Sequence, residues 1–332
     1  GSGGGAMRAR IHGSSQDMLR ARLMMATQSD ERACAVPSLV SRLLPQLIAL
    51  TGAKRLFSDP EKTARSIEDS RLRPSAFGPP KRLERRVRIT VDHDGGWPVY
   101  RVAPLGQPSE QYVVYAHGGA WIREIHPLQW RLVATLARQS GATIIVPIYP
   151  LAPRGTAGVV VPTMADMLAD LIGQHGAGRV SALGDSAGGQ IMLSAALLLR
   201  ERGVPAPRHT ILISPALDLT MANPEVDRVE PLDPWLARAG IRTAIEHWRG
   251  TLALDHMLVS PLFSDLRGLG GLTIFSGMRD ITNPDTRLLV AKARAAGVAV
   301  DYHEAPGLIH VYPLLPCPEG RAARQVMIDL LR

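Results

Sequence analysis

The sequence predicts an α/β fold: a mostly parallel central sheet flanked by helices. Three observations predict it. From Tyr112 onward, short apolar runs alternate with longer amphipathic ones in the rhythm strand, loop, helix, which sandwiches a parallel sheet between helical layers. Residues 179–183 read as a buried strand that turns through Gly184-Asp185-Ser186-Ala187-Gly188-Gly189 into a stretch, 191–199, apolar on nearly every face, the mark of a buried helix. The 332 residues, 45% of them hydrophobic, suffice for one large core.

Taken in order, Gly1 to Ala6 read as a tag remnant ahead of Met7, so residues 1–13 are expected to be remnant and disordered start. Residues 14–80 read as a helical cap segment. Val36, Leu39, Val40, Leu43, Leu44, Leu47 and Ile48 fall at helical spacing, so one apolar stripe is expected to face a partner surface. Pro37 suits the first turn and Gly52 the end, while Pro45 should kink or split the helix. The core is expected over 81–215 and 255–332. It opens with a hairpin of 87–91 and 97–103 about His93-Asp94-Gly95-Gly96. Strand 112–115, helix 128–139 and strand 142–148 follow. Thr163 reads as the cap of a helix carrying Met164, Met167, Leu168, Leu171 and Ile172 on one face. After strand 210–213, residues 216–254 break the rhythm with Pro224, Pro231 and Pro234 and a helix over 235–248; they read as a cap insertion. Strand 272–276, helix 284–296, strand 298–302 and helix 320–331 complete the core.

Charge is uneven. The formal net charge is +8, yet residues 1–90 hold 17 basic against 8 acidic side chains, and the remainder 21 against 22. The basic character belongs to the N-terminal segment, which suits a solvated helical face or peripheral contact with an anionic membrane surface. Nucleic acid is not expected, since no zinc-ligand spacing or RNA-binding signature accompanies the charge. No apolar run reaches the roughly 18 residues of a membrane span, and residues 7–36 lack the apolar core of a secretory signal. Cys34 and Cys317 lie far apart without C-x-x-C spacing, which argues against a disulfide scaffold or a zinc site and fits a cytoplasmic, reducing setting. The basic segment also suits association with the cell envelope, and the sequence is compatible with a homodimer.

Ligands of such sheets gather beyond the carboxyl ends of the strands, and four loops arrive there. Gly184-x-Ser186-x-Gly188 between strand and helix is the nucleophile-elbow pattern. A tight turn lifts the hydroxyl from the backbone, and the helix N-terminus offers unpaired N–H groups to a developing oxyanion. His117-Gly118-Gly119-Ala120-Trp121 can point consecutive N–H groups at the same anion. Gly277-Met278-Arg279-Asp280 supplies a carboxylate able to orient a histidine. Its rival Asp285 has a structural job of its own, following Asn283-Pro284, where Asn should cap and Pro start a helix. Of the loop histidines His117, His126 and His310, only His310 completes the chain order Ser…Asp…His.

Together H-G-G-A-W, G-D-S-A-G-G, G-M-R-D and a late G-x-x-H resemble the hormone-sensitive-lipase-like (family IV) carboxylesterases of the α/β-hydrolase fold. The resemblance covers roughly residues 80–332. It implies a serine carboxylic-ester hydrolase with a helical cap, acting through an acyl-enzyme on short- to medium-chain esters, with a small-molecule ester as partner and neither metal nor organic cofactor. It implies Ser186 as nucleophile, Asp280 as orienter and His310 as base. The oxyanion hole would come from Gly118, Gly119, Ala120 and Ala187, and the substrate pocket would include Trp121, Asp185 and Trp235. Amide, carbamate or lactone hydrolysis by the same triad is the alternative, as is a non-catalytic small-molecule receptor. The family's third glycine is Ala120 here, its Y-R-L-A-P-E reads Tyr149-Pro150-Leu151-Ala152-Pro153-Arg154, and its D-P-L reads Asp280-Ile281-Thr282.

Overall fold

The computed structural model describes residues 37–93 and 95–332; the expectations for residues 1–36, with Val36 and Cys34 among them, lie outside that range. The runs of β-branched and aliphatic residues form one eight-stranded sheet. In chain order its strands are β1 (Val87–Asp92), β2 (Val99–Pro104), β3 (Tyr112–Ala116), β4 (Thr143–Pro147), β5 (Val180–Asp185), β6 (Thr210–Ile213), β7 (Leu272–Gly277) and β8 (Val300–Ala305). They lie side by side in the order β1-β2-β4-β3-β5-β6-β7-β8. The hairpin β1–β2 is antiparallel and β2 meets β4 antiparallel; from β4 across to β8 every pairing is parallel. All residues of β5, β6 and β7 are buried, as helices on both faces require.

One face is covered by α5 (Ala157–His175), α6 (Ala187–Glu201) and α9 (Asn283–Ala295), whose Met164, Leu168, Ile191, Leu193 and Leu289 share one apolar cluster. The other is covered by α4 (Pro127–Ser140) and α10 (Pro318–Leu330), through Trp130, Leu136, Met327 and Ile328. Ahead of the sheet come α1 (Leu39–Leu50), α2 (Lys54–Phe57) and α3 (Pro60–Leu72), and between β6 and β7 lie α7 (Val226–Val229) and α8 (Arg238–Arg249). Helix α8 rests on α2 and α3 so closely that a Cβ at Gly240 would sit 2.3 Å from Thr63 Oγ1. Helices α2 and α3 and the segment after β6 thus pack together.

Four local expectations need correction. Helix α1 runs unbroken through Pro45, whose ring is buried. Its apolar stripe is covered only along one edge: Leu44 and Ile48 pack half-buried against the core, beside the buried Ser41 and Pro45, while Leu39, Val40, Leu43 and Leu47 are exposed. Helix α5 starts at Ala157 behind Thr156, with Pro162 and Thr163 inside it; Thr163 donates to the Val159 carbonyl at 2.8 Å. Buried Val160 and Val161 hold that first stretch in the helix despite the proline. Asn283 is the first residue of α9 and not its cap, because its amide turns inward to Ser276 Oγ and Glu304.

Close backbone approach explains the glycines of the central turn. A Cβ at Gly184 would sit 2.2 Å from the Gly188 carbonyl oxygen, and one at Gly188 would sit 2.0 Å from that of Ala116. Gly188→Ala should therefore force strand β3 and helix α6 apart and destabilise the protein by about 1–3 kcal/mol, read as a lower urea midpoint; an unchanged midpoint would mean that the helix start relaxes freely.

Candidate active site

Ser186 links β5 to α6 in a conformation that side-chain-bearing residues seldom adopt, φ 53°, ψ −118°. The strain is held from both sides. Ser186 N–H donates to the Ile213 carbonyl at 2.8 Å, and its own carbonyl accepts from Gln190 N–H and Ala216 N–H, each at 3.2 Å. The result projects the hydroxyl beyond the sheet edge, toward two loops from later strands.

Those loops are pinned to each other before they reach Ser186. Arg279 N–H donates to the Leu308 carbonyl at 2.8 Å and Met278 N–H to that of Ala305 at 3.1 Å. Gly277 permits this, since a Cβ there would sit 2.5 Å from the Leu308 oxygen. Val311 N–H donates to Ser214 Oγ at 3.0 Å and ties the second loop to the end of β6. With its proton on Nδ1, His310 donates to Asp280 Oδ2 at 2.9 Å, leaving Nε2 to accept from Ser186 Oγ at 2.9 Å. Asp280 is fully buried, and its other oxygen accepts from Thr282 N–H at 2.9 Å. Burial pulls the His310 pKa down, but the carboxylates of Asp280, Asp233 and Asp185 outweigh it and leave the group above its ordinary 6.5.

The remaining titratable candidates are spoken for elsewhere. His117 is buried and stacked on Tyr149, with burial lowering its pKa to about 4. His126 caps α4, accepting from Leu128 N–H. Asp285 lines the pocket and accepts from Asn223 Nδ2 at 2.7 Å; burial pushes its pKa up to about 6.

The Gly-rich turn after β3 needs one correction. Gly118 N–H is not free to meet an oxyanion, because it donates to Asp185 Oδ1 at 3.1 Å. Gly118 serves instead by its lack of a side chain, which would lie 2.5 Å from Asp185 Oδ2 and 2.9 Å from Ser186 Cβ. The donors left beside Ser186 are the N–H groups of Gly119, Ala120 and Ala187, which find no acceptor among the described residues. Positive φ at Gly119 (131°), Ala120 (51°) and Trp121 (60°) curls that turn. Ala120 keeps the left-handed conformation in spite of its methyl group.

Asp185 is thus a brace. Its carboxylate also accepts from the Tyr115 hydroxyl and from Gln129 Nε2 at 2.8 Å. Burial raises its pKa while these donors oppose the rise. The cavity over Ser186 measures about 440 Å³ and includes both Trp121 and Trp235 in its wall. Leu56 and Phe57 come to it from the N-terminal helices, and Leu236, Ile241 and Ile245 from the segment after β6. Trp121 stacks on Trp248 at 5.6 Å, and both indole N–H groups donate to Gln190 Oε1. Among the described residues no His, Cys, Asp and Glu group is arranged to hold a metal ion.

Sequence reasoning missed Asp233 and Gln190. Asp233 is buried; its Oδ1 accepts from Trp235 N–H (2.8 Å) and Leu236 N–H (3.0 Å), and its Oδ2 accepts from Ile281 N–H (3.0 Å). It therefore fastens the pocket wall to the residue next to Asp280. Burial, then the charge on Asp280, pushes its pKa up to about 6. The available signal was Asp233-Pro234 inside the irregular segment, an Asx-turn pattern, but nothing local tells that the carboxylate spans to residue 281.

A nucleophile turn at the carboxyl end of a parallel strand, served by loops from strands further along the sheet, is the geometry by which the α/β-hydrolase fold is recognised. A family profile described as the alpha/beta hydrolase fold matches residues 113–314, and the chain belongs to that family, in its hormone-sensitive-lipase-like branch. It is 33% identical over 276 residues to a triacylglycerol lipase of Mycobacterium tuberculosis, with 81% of this chain and 58% of that protein aligned. It is 30% identical to an acetyl-hydrolase of Streptomyces hygroscopicus, over 74% of this chain and 81% of the other. A solved hormone-sensitive lipase from a metagenome library superposes with a TM-score of 0.72 at 27% identity, covering 88% of this chain and 97% of that one. The chain spans 58% of the length of the mycobacterial relative.

Replacing Asp233 by Asn sets an amide N–H against one of three backbone N–H groups. Asp233→Asn should lose about 1–3 kcal/mol of stability and lower kcat by loosening the Asp280 loop; a variant with native urea midpoint and native kcat would show the carboxylate idle.

Proposed function

We propose that the chain is a serine carboxylesterase that hydrolyses short- to medium-chain acyl esters through an acyl-Ser186 intermediate. The observation that carries this reading is the unbroken series Asp280 Oδ2, His310 Nδ1, His310 Nε2, Ser186 Oγ, whose two hydrogen bonds are each 2.9 Å. His310 takes the Ser186 proton as the oxygen attacks the ester carbonyl. Asp280 holds the ring in the productive tautomer and favours its charged form. The carbonyl oxygen, now an anion, meets the N–H groups of Gly119, Ala120 and Ala187; one such donor is worth roughly 3–4 kcal/mol of barrier. The alcohol departs with the proton from His310, and water repeats the sequence on the acyl-enzyme. In this reading residues 37–80 and 216–254 act as the cap, and the apolar walls they supply take the acyl chain. The curated relatives' names, a triacylglycerol lipase and an acetyl-hydrolase, support an ester bond as the target. The buried free thiol of Cys317 supports a reducing, cytoplasmic setting. Among the described residues no helix is long and apolar enough to cross a membrane.

Ser186→Ala should lower kcat on p-nitrophenyl butyrate by about 10⁶-fold while leaving the circular dichroism spectrum unchanged; substantial residual turnover would remove Ser186 from its role. Acetate to hexanoate esters should show higher kcat/KM than palmitate, and the reverse ranking would overturn the acyl-size reading. The general base must be neutral, so kcat/KM should fall as pH drops through a His310 pKa lying above 6.5. Asp280→Asn removes the largest raising influence, so the acid limb should move to lower pH, with kcat reduced about 10⁴-fold; an unmoved limb would assign the titration to another group.

A further inference from the structure

Helix α1 packs Leu44 and Ile48 on the core but exposes most of what its periodicity would bury. Leu39, Val40, Leu43, Leu47 and Leu50 are 75%, 49%, 60%, 57% and 84% exposed, and at 3.6 residues per turn they fall within one arc of roughly 100°. The opposite side is anchored. Glu319, at the start of α10, accepts from Ser38 N–H (2.6 Å), Ser38 Oγ (3.0 Å) and Ser41 Oγ (2.5 Å). The apolar face is therefore held outward, and a contiguous exposed apolar face marks an interaction surface.

Charge beside that face selects the partner. A notch of about 450 Å³ lies between α1 and residues 231–234, with Gln46 and Ala49 on its helix side and Lys54, Arg55 and Arg279 around it. Arg279 Nε is buried with no hydrogen-bond partner. Lys54 Nζ is steadied by the carbonyl oxygens of Glu230 and, at 2.7 Å, Asp233. The notch's single carboxylate, Asp233, has both oxygens taken by backbone N–H groups. The notch thus presents cations without a carboxylate free to pair them. Residues 37–90 carry the same sign, with 12 basic against 5 acidic side chains.

We propose that α1 docks on an anionic lipid bilayer, its leucine face lying in the headgroup–acyl boundary while the notch of Lys54, Arg55 and Arg279 receives a lipid phosphate. An anionic bilayer offers both complements, phosphate for the cations of the notch and acyl chain for the leucines beside it. Docking also serves the pocket: the chain leaving α1 runs directly into its wall, where Gly52, Ala53, Leu56 and Phe57 face the cavity over Ser186. Apolar esters concentrated in the bilayer would then meet the pocket at the interface. Vesicle binding needs no turnover, so the proposal stands or falls apart from the esterase reading.

The test is co-sedimentation of the full chain with vesicles of phosphatidylcholine alone or mixed with phosphatidylglycerol. The protein should sediment with the mixed vesicles, be released by sodium chloride, and ignore the neutral ones. Leu43→Ser/Leu47→Ser, and separately the exposed Arg55→Gln, should each weaken binding at least tenfold while hydrolysis of soluble p-nitrophenyl acetate is unchanged. Absence of binding to anionic vesicles, or equal binding by these variants, would overturn the proposal. So would a wild-type dimer in solution that Leu43→Ser/Leu47→Ser dissociates, since a second copy would then own the face. Inorganic phosphate should release the protein no better than chloride at equal ionic strength; selective release would make the notch a free-phosphate site and end the proposal.

Discussion

The structure depends on one constraint, the strained crossing at which β5, β3 and α6 meet under Ser186. The serine holds φ at 53°, and no side chain fits at Gly184 or Gly188, because the backbones pass too closely. A conformation of this kind costs of order 1–3 kcal/mol and persists only where its surroundings over-determine it. Here the surroundings are the fully buried strand β5, between β3 and β6, and the apolar helix α6. The sheet's parallel pairing sets the remaining loops beside the turn. What the core gains in burial holds the hydroxyl at the pocket floor.

Two buried carboxylates extend that rigidity outward. Asp185 joins the nucleophile turn to the Gly-rich turn through Gly118 N–H, Tyr115 and Gln129. Asp233 joins the pocket wall to the Asp280 loop through three backbone N–H groups. Burying a charge is expensive unless donors surround it, and each carboxylate has three. Both also lie near enough to His310 to help Asp280 favour the imidazolium. In the proposed mechanism the oxyanion donors and the base are therefore in place before substrate arrives, which is where preorganised electrostatics has its value.

Most of the architecture was legible because it is written locally. Alternating apolar runs mark buried strands and helices, and G-x-S-x-G marks its own turn. The order Ser186, Asp280, His310 could be read because each residue sits in a loop just past a strand. What failed was long-range. Periodicity shows that α1 has an apolar face but not how much of it is covered; Leu44 and Ile48 reach the core beside the buried Ser41 and Pro45, and the rest of the stripe is exposed. Asn283 looked like a cap because Pro284 follows it; the buried Ser276 and Glu304 drew its amide inward instead. Gly118 looked like an oxyanion donor until a carboxylate 67 residues away claimed its N–H. Asp233 was invisible for the same reason, since its contact with Ile281 spans 48 residues.

The account rests on Ser186 being a nucleophile, made so by its turn and by His310. The most direct measurement is reaction of the full chain with a fluorophosphonate, followed by peptide mass spectrometry. The account predicts one adduct per chain, on Ser186, formed far more slowly after His310→Ala. No adduct, or an adduct on a different residue while Ser186 stays unmodified, would contradict it.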